Sequence, residues 1–226
     1  MKLVCDLHIH SIVSDGSLHP ADIVNVSKSR SVKVISITDH NTFLGSIVAS
    51  KYMDKTQLLI YGAEFMTYVG EVLLLCPNKI EGVNTLRDLN TLIDLGRSNN
   101  CLVVPPHPYD ILRLGIGNLV KLDVWDAVEV FNASSDPISN LITYLAVMKS
   151  NKPLLANSDA HVAELIGASY SIVDVDDFTV DDVLESIRGF RVQPVMKYSI
   201  TGSISRLSWG LKKFIHHRCK TGYCRL

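Results

Sequence analysis

The chain has no run of about 20 apolar residues, the length a helix needs to cross a bilayer. It has no strong charge of either sign. Its 22 Lys and Arg against 23 Asp and Glu leave a formal net charge of −1 over 226 residues. Domains that grip nucleic acid across a broad face are usually strongly basic, so that footprint is missing. Aromatics are few, at 7%. The opening MKLVCDL is too short for a secretory leader, and polar residues follow at once. A soluble, cytoplasmic protein is expected. Cysteine is scarce and odd in number: Cys5, Cys76, Cys101, Cys219 and Cys224 show no regular spacing, which argues against a disulfide framework. The first three sit in apolar runs and read as small buried side chains. Cys219 and Cys224 lie in a basic tail and match no zinc-knuckle spacing.

Hydrophobic residues make up 47% of the chain, enough for one sizeable core. The expected organisation is one domain over 1–200 and a basic C-terminal tail over 201–226, read as a helix that docks as the last element. Within the domain, short β-branched runs alternate with helical stretches. KLVCDLHI, KVISITD, LLIYGAEF, EVLLLC, CLVVPP, AVEVF, PLLANS and SYSIVDV read as strands. A Tyr-Val-Gly turn joins the third to the fourth. Helices are expected over 19–30, 41–54, 83–98, 137–150 and 181–190. Alternation of this kind implies parallel β/α units, and about seven of them can close a barrel. Chemistry in such barrels sits at the C-terminal ends of the strands.

The metal-ligating residue types fall at those ends. His8 and His10 end the first strand two apart, so both point to one face. Asp39 and His40 end the second and Glu64 the third. His107 follows CLVVPP, and Asn132 follows AVEVF. Asp159 and His161 follow PLLANS, again two apart. One such histidine would be unremarkable in a loop. Imidazoles and carboxylates converging on a single rim suit Zn²⁺, Mn²⁺ or Fe²⁺, and a carboxylate such as Glu64 can bridge two ions. Asp6 shares a face with His8 and reads either as a partner that orients an imidazole or as a plain buried carboxylate. Asp39 reads as structural, and His19 before Pro20 as a helix start. Asn132 either contacts substrate or orients a ligand. Arg113 is a candidate phosphate clamp, since a guanidinium matches phosphate geometry. Gly115 and Gly117 suggest that its loop can act as a lid.

The ordered set CDLHIHSIVSDGSLHPADIV, ISITDHNT, GAEF, PPHP, VEVFNA and NSDAH resembles the PHP (polymerase and histidinol phosphatase) superfamily over roughly residues 1–190. The resemblance implies a distorted (β/α)7 barrel, two or three divalent ions per chain, and hydrolysis of a small phosphorylated substrate by a metal-activated water. It implies that His8, His10, Glu64 and Asp159 hold one ion, Glu64 and His107 a second, and Asp15, His40 and His161 a third. His161 would also assist the leaving oxygen, and Arg113 and Asn132 would complete the catalytic set. Relatives carry a Gly-Glu-Ile-His pattern where this chain has Gly70-Glu71-Val72-Leu73, so a ligand of the second ion is replaced by Leu73. Glu71 is a substitute in type, but it is expected to face the opposite way. Rival readings are a non-catalytic metal-binding domain, a histidinol-phosphatase-like enzyme and an exonuclease.

Overall fold

A computed structural model describes residues 1–80 and 82–220, with side chains through residue 211. Three parallel strands form the centre: β1 (Lys2–Ile9), β2 (Val34–Ile37) and β3 (Leu58–Thr67). β3 turns back through 68–69 into antiparallel β4 (Gly70–Cys76), and β5 (Leu102–Val104) runs antiparallel to β4. On the other edge, β8 (Tyr170–Asp174) lies antiparallel to β1, and β9 (Val192–Val195) antiparallel to β8. The order is β5-β4-β3-β2-β1-β8-β9. A second sheet pairs β6 (Val128–Asn132) in parallel with β7 (Leu154–Asn157). Backbone bonds tie it to the first at both sides. Asp126 N donates to Val103 O and Glu129 N to Pro105 O, while His10 N donates to Ala160 O at 2.9 Å.

The architecture is therefore a mixed α/β fold with a curled sheet, less regular than the expected (β/α)7 barrel. Three connections lack an α-helix: β3–β4 is a hairpin, and only short 3-10 turns occur between β5 and β6 and between β7 and β8. β9, unforeseen in the sequence, contains Pro194. It pairs only with β8, at the edge of the sheet, where a missing N–H is tolerated.

Alternation builds two layers. Leu3, Cys5 and Leu7 of β1 pack with Leu73 and Leu75 of β4 and with Val104 inside the curl. The opposite faces meet the helices α1 (Pro20–Ser29), α2 (Leu44–Ala49), α3 (Leu89–Ser98) and α4 (Pro137–Val147). Local chemistry fixes the helix starts. His19 Nδ1 accepts from Ala21 N, with Pro20 opening α1. Asp136 accepts from Ile138 N and Ser139 N. α3 begins at Leu89, later than expected, because Asp88 caps it through Thr91 N. α5 (Val180–Arg188) packs beneath β8. The C-terminal helix α6 (Ile200–Lys220) docks through Trp209, whose Nε1 donates to Asp15 O at 3.3 Å. The readings made of Cys219 and Cys224 concern side chains outside those the structure describes. No helix among the described residues is long and apolar enough to cross a membrane.

One expectation is overturned inside the core. Cys76 and Cys101 are joined as a disulfide, not held as separate thiols. They sit beside the paired residues Leu75 and Leu102, with Cα atoms 4.0 Å apart, a proximity that spacing 25 residues apart in sequence does not reveal. In the loop-entropy picture a closure of that length is worth about 3.5 kcal/mol. Thiol labelling of denatured, unreduced protein is expected to modify Cys5 and spare Cys76 and Cys101. Labelling of both would count against the bridge.

Candidate metal centre

The rim where β1, β2, β3, β5 and β7 end gathers the expected residues. His8 Nε2 and His10 Nε2 stand 3.1 Å apart. Glu64 Oε2 lies 3.4 Å from the first and 3.2 Å from the second, and Asp159 Oδ1 lies 3.6 and 3.3 Å from them. Ligands held tetrahedrally at about 2.0–2.2 Å from an ion stand about 3.3–3.6 Å from one another. His8, His10 and Asp159 form one compact donor group that could hold a metal ion, with Glu64 beside its two histidines. A second group surrounds Asp15, whose carboxylate is 3.5 Å from His10 Nδ1, 3.5 Å from His40 Nε2 and 3.1 Å from His161 Nε2. A third comprises His8, Glu64 and His107, with His107 Nε2 3.2 Å from Glu64 Oε1. All eight residues expected as ligands converge here.

The site is starved of positive charge. Burial disfavours protonation of His8 and His10, yet the surrounding carboxylates outweigh it and raise both, His10 to about 10. Burial likewise opposes ionisation of Glu64 and Asp159. The neighbouring histidines, and for Asp159 also Arg113, hold both carboxyls well below their usual range. Burial lowers His40. Nδ1 of His10, of His40 and of His107 is buried without a hydrogen bond. Unpartnered imidazole nitrogens among ionised carboxylates are a donor set that a divalent cation can satisfy.

Supporting residues position the ligands. Asp39 accepts from Ser11 N at 2.8 Å, Ser11 Oγ at 2.6 Å and Ser14 Oγ at 2.6 Å, which shapes the loop that presents Asp15. Asp6 does not bond a histidine. It accepts from Ser158 N, Ser158 Oγ and Gly167 N, pinning the turn that carries Asp159. Burial, partly offset by these bonds, pushes its carboxyl up to about 6. His107 and Asp159 have left-handed backbone, φ 29° and 49°. Such conformations persist where neighbours enforce them, and His107 N is held by Glu129 Oε2 at 2.8 Å.

Glu129 escaped the sequence reading. It lies mid-strand in β6, fully buried, and accepts from His8 Nδ1 at 3.0 Å, Asn157 Nδ2 at 2.9 Å, Asn132 Nδ2 at 2.9 Å and His107 N. This bond makes His8 Nδ1 the donor and leaves Nε2 free as a ligand. The usable signal was a lone carboxylate inside the apolar run AVEVF, since a buried charge must be paired. Asn132 faces Glu129, not the cleft. Its Oδ1 accepts from Ser134 N and Ser135 N.

Arg113 reaches the site. Its guanidinium donates to Asp159 Oδ2 at 2.7 Å, Asp110 Oδ2 at 3.1 Å and Ser134 O at 2.6 Å. Its loop is pinned, contrary to the lid expectation. Gly117 N donates to Pro108 O, Gly115 N to Asp110 O, and Glu71 N to Leu114 O. A Cβ on Gly115 would stand 2.4 Å from His107 O, so close packing and not mobility demands glycine there. Arg206, from α6, also lines the cleft and donates to Ser134 O at 3.0 Å. Nothing in the sequence linked that tail residue to the rim.

Glu71 also lines the cleft, buried, with Oε1 3.7 Å from His40 Nδ1 and Oε2 3.7 Å from His107 Nε2. The expected opposite orientation is wrong, because residues two apart on a strand share a face. Leu73 points the same way one rung deeper, into the inner core. Burial first, then Glu64 and Asp159, push the Glu71 carboxyl up to about 9.

A curled mixed sheet with this rim defines an α/β protein whose His, Asp and Glu clusters could hold metal ions. Residues 137–191 match a family model described as PHP-associated. The chain is 32% identical over 158 residues to an uncharacterized protein of Methanocaldococcus jannaschii, covering 64% of this chain and 91% of that one. A two-domain protein from Bacteroides vulgatus, containing a predicted PHP-like metal-dependent phosphoesterase, superposes with a TM-score of 0.69 at 16% identity, over 87% of this chain. A lesion-specific endonuclease from Pyrococcus furiosus does so with a TM-score of 0.62, also at 16% identity, over 92%. The chain spans 65% and 66% of those two proteins. The family-model match and the fold shared with these PHP-like structures support membership of the PHP superfamily.

Proposed function

We propose that the protein is a metal-dependent phosphoesterase acting on a small phosphomonoester. The observation that carries this is the joining of the His/carboxylate rim to two arginines at one cleft of about 190 Å³. The arginines give the cleft a preference for anions, and the carboxylates give it a preference for cations. A phosphoryl group neutralised by divalent ions satisfies both. When bound, Zn²⁺, Mn²⁺ or Fe²⁺ would supply Lewis acidity and lower the pKa of water. His8, His10, Glu64 and Asp159 would hold one ion, Glu64 and His107 a second, and Asp15, His40 and His161 a third.

The protein's own groups do the rest. Glu129 fixes the His8 tautomer. Arg113 holds one oxygen of Asp159 and presents a charged face to the cleft. With the outer group free of metal, His161, its Nε2 beside Asp15, would give a proton to the leaving oxygen; with an ion held there, His161 would serve as a ligand instead. Asn132 acts through Glu129. The cleft admits a phosphoryl group and little more. Arg206 also lines an adjoining cavity of about 440 Å³ with Leu165, Leu207 and Leu211, and exposed Leu112 lines the cleft mouth. A leaving group with an apolar body fits that side.

Metal-loaded protein is expected to hydrolyse p-nitrophenyl phosphate faster than bis-p-nitrophenyl phosphate. Arg206→Ala should raise KM about tenfold, the loss of one charge-assisted contact, with kcat little changed. No turnover of either ester by fully loaded protein would end this reading.

A further inference from the structure

We propose that Glu71 is itself a metal ligand, completing the second ion site together with Glu64 and His107, and that this makes the site favour Mn²⁺ or Fe²⁺ over Zn²⁺. The proposal rests on the reading of this rim as a divalent-metal site, and not on the reaction assigned to it.

Three observations converge on Glu71. Its carboxylate is buried, 5% exposed, in the cleft wall. It lies within ligand spacing of His40 and Glu64 as one compact donor group. It stands 3.7 Å from a nitrogen of His40 and 3.7 Å from one of His107, too far for direct hydrogen bonds and within the reach of an ion held beside either imidazole. The strand register explains how it gets there. On β4, Leu73 pairs with Glu64 and Glu71 pairs with Met66, one rung nearer the rim. Leu73 is wholly buried among Leu75, Val104 and Leu7, and has no donor atom to offer. The two-carbon stem of Glu71 brings an oxygen back over that rung.

The chemical consequence follows from the donor exchange. With Glu64 and Glu71 as oxygen donors and His107 as nitrogen donor, the second site is carboxylate-rich. Carboxylates suit harder ions, whereas imidazole-rich sets favour zinc. The group of His8, His10 and Asp159 is richer in imidazole and suits zinc better. The protein is therefore built to hold unlike ions side by side.

The test is a count of bound ions by equilibrium dialysis and elemental analysis, with Mn²⁺ alone, Zn²⁺ alone and the two in competition. Outer partners of metal ligands are worth about 10–100-fold in affinity, and a direct ligand no less. Glu71→Gln keeps volume and hydrogen-bonding ability. It should lose one Mn²⁺ per chain at concentrations that saturate the wild type, and keep the ion held by His8, His10 and Asp159. Glu71→His should retain the count and shift the competition toward Zn²⁺. The proposal is overturned if Glu71→Gln binds Mn²⁺ with wild-type count and affinity, or if Glu71→His leaves the Zn²⁺-to-Mn²⁺ preference unchanged. Neither readout depends on turnover, so a failure of the phosphoesterase reading would leave this result standing.

Discussion

Glu64→Gln is expected to lower kcat/KM for phosphoester hydrolysis by about 10³-fold or more, some 4 kcal/mol of barrier, and to remove at least one bound ion per chain. Glu64 is the hub of the rim. Its Oε2 lies within 3.4 Å of His8, His10 and His40 nitrogens, and its Oε1 faces His107. Four imidazoles of the rim therefore face this one side chain. Glutamine keeps the shape but removes the charge that lets one side chain serve two cations at once. It also turns one oxygen into a donor aimed at imidazoles. The backbone around it should survive, because Asn41 N donates to Glu64 O and Glu64 N to Asp39 O whatever the side chain. Circular dichroism should therefore match the wild type while the thermal shift on adding Mn²⁺ or Zn²⁺ shrinks. A variant with the wild-type ion count would sink the bridging role.

Much of this rim was legible in one sequence because strand ends are legible. A short apolar run followed by a polar residue reports both the strand and where it stops, and period two reports which neighbours share a face. His8 with His10, and Asp159 with His161, follow from that alone. What stayed hidden depended on direction, depth or distance. Periodicity says nothing of whether a strand runs up or down, so β4 and β8 were read into a uniform parallel barrel although the Tyr-Val-Gly turn already marked a hairpin. Glu129 was passed over because it lies inside a strand and not at its end. Glu71 was given the wrong face because it was treated as a strand neighbour of the Leu73 position, although the two are two residues apart and share a face. Arg206 comes to the cleft only because α6 folds back and seats Trp209 against the Asp15 loop. The bond between Cys76 and Cys101 needs the β4–β5 pairing to bring them together. These are tertiary facts, and local pattern carries no trace of them.

Glu129→Ala is expected to cost about 3–5 kcal/mol of stability, the usual effect of breaking a buried charge network by removing one partner. For a chain of this length that corresponds to a fall in Tm of roughly 10 °C. Four donors converge on this carboxylate: the His8 ring, the His107 backbone and the amides of Asn132 and Asn157. Asn157 in turn accepts from Leu7 N at 3.0 Å, so the network links β1, β6, β7 and the turn after β5. Alanine leaves all four donors facing a dry void. Burial opposes the charge on Glu129, but His8 first, and His107 with it, hold the carboxyl below its usual range, so it stays ionised in the core. Metal binding should weaken separately, by about 10–100-fold, because His8 loses the acceptor that fixes its tautomer. Glu129→Gln separates the two effects. Its oxygen can still accept from His8 and Asn157. Its amide then meets two donors, His107 N and Asn132 Nδ2, where Oε2 had accepted both. That variant should recover part of the lost stability and more of the metal affinity than alanine does. Scanning fluorimetry of metal-free protein gives the first quantity, and competition with a zinc chelator gives the second. If alanine at 129 melts with the wild type and binds zinc as tightly, then the carboxylate beneath His8 neither supports the fold nor orients the ligand.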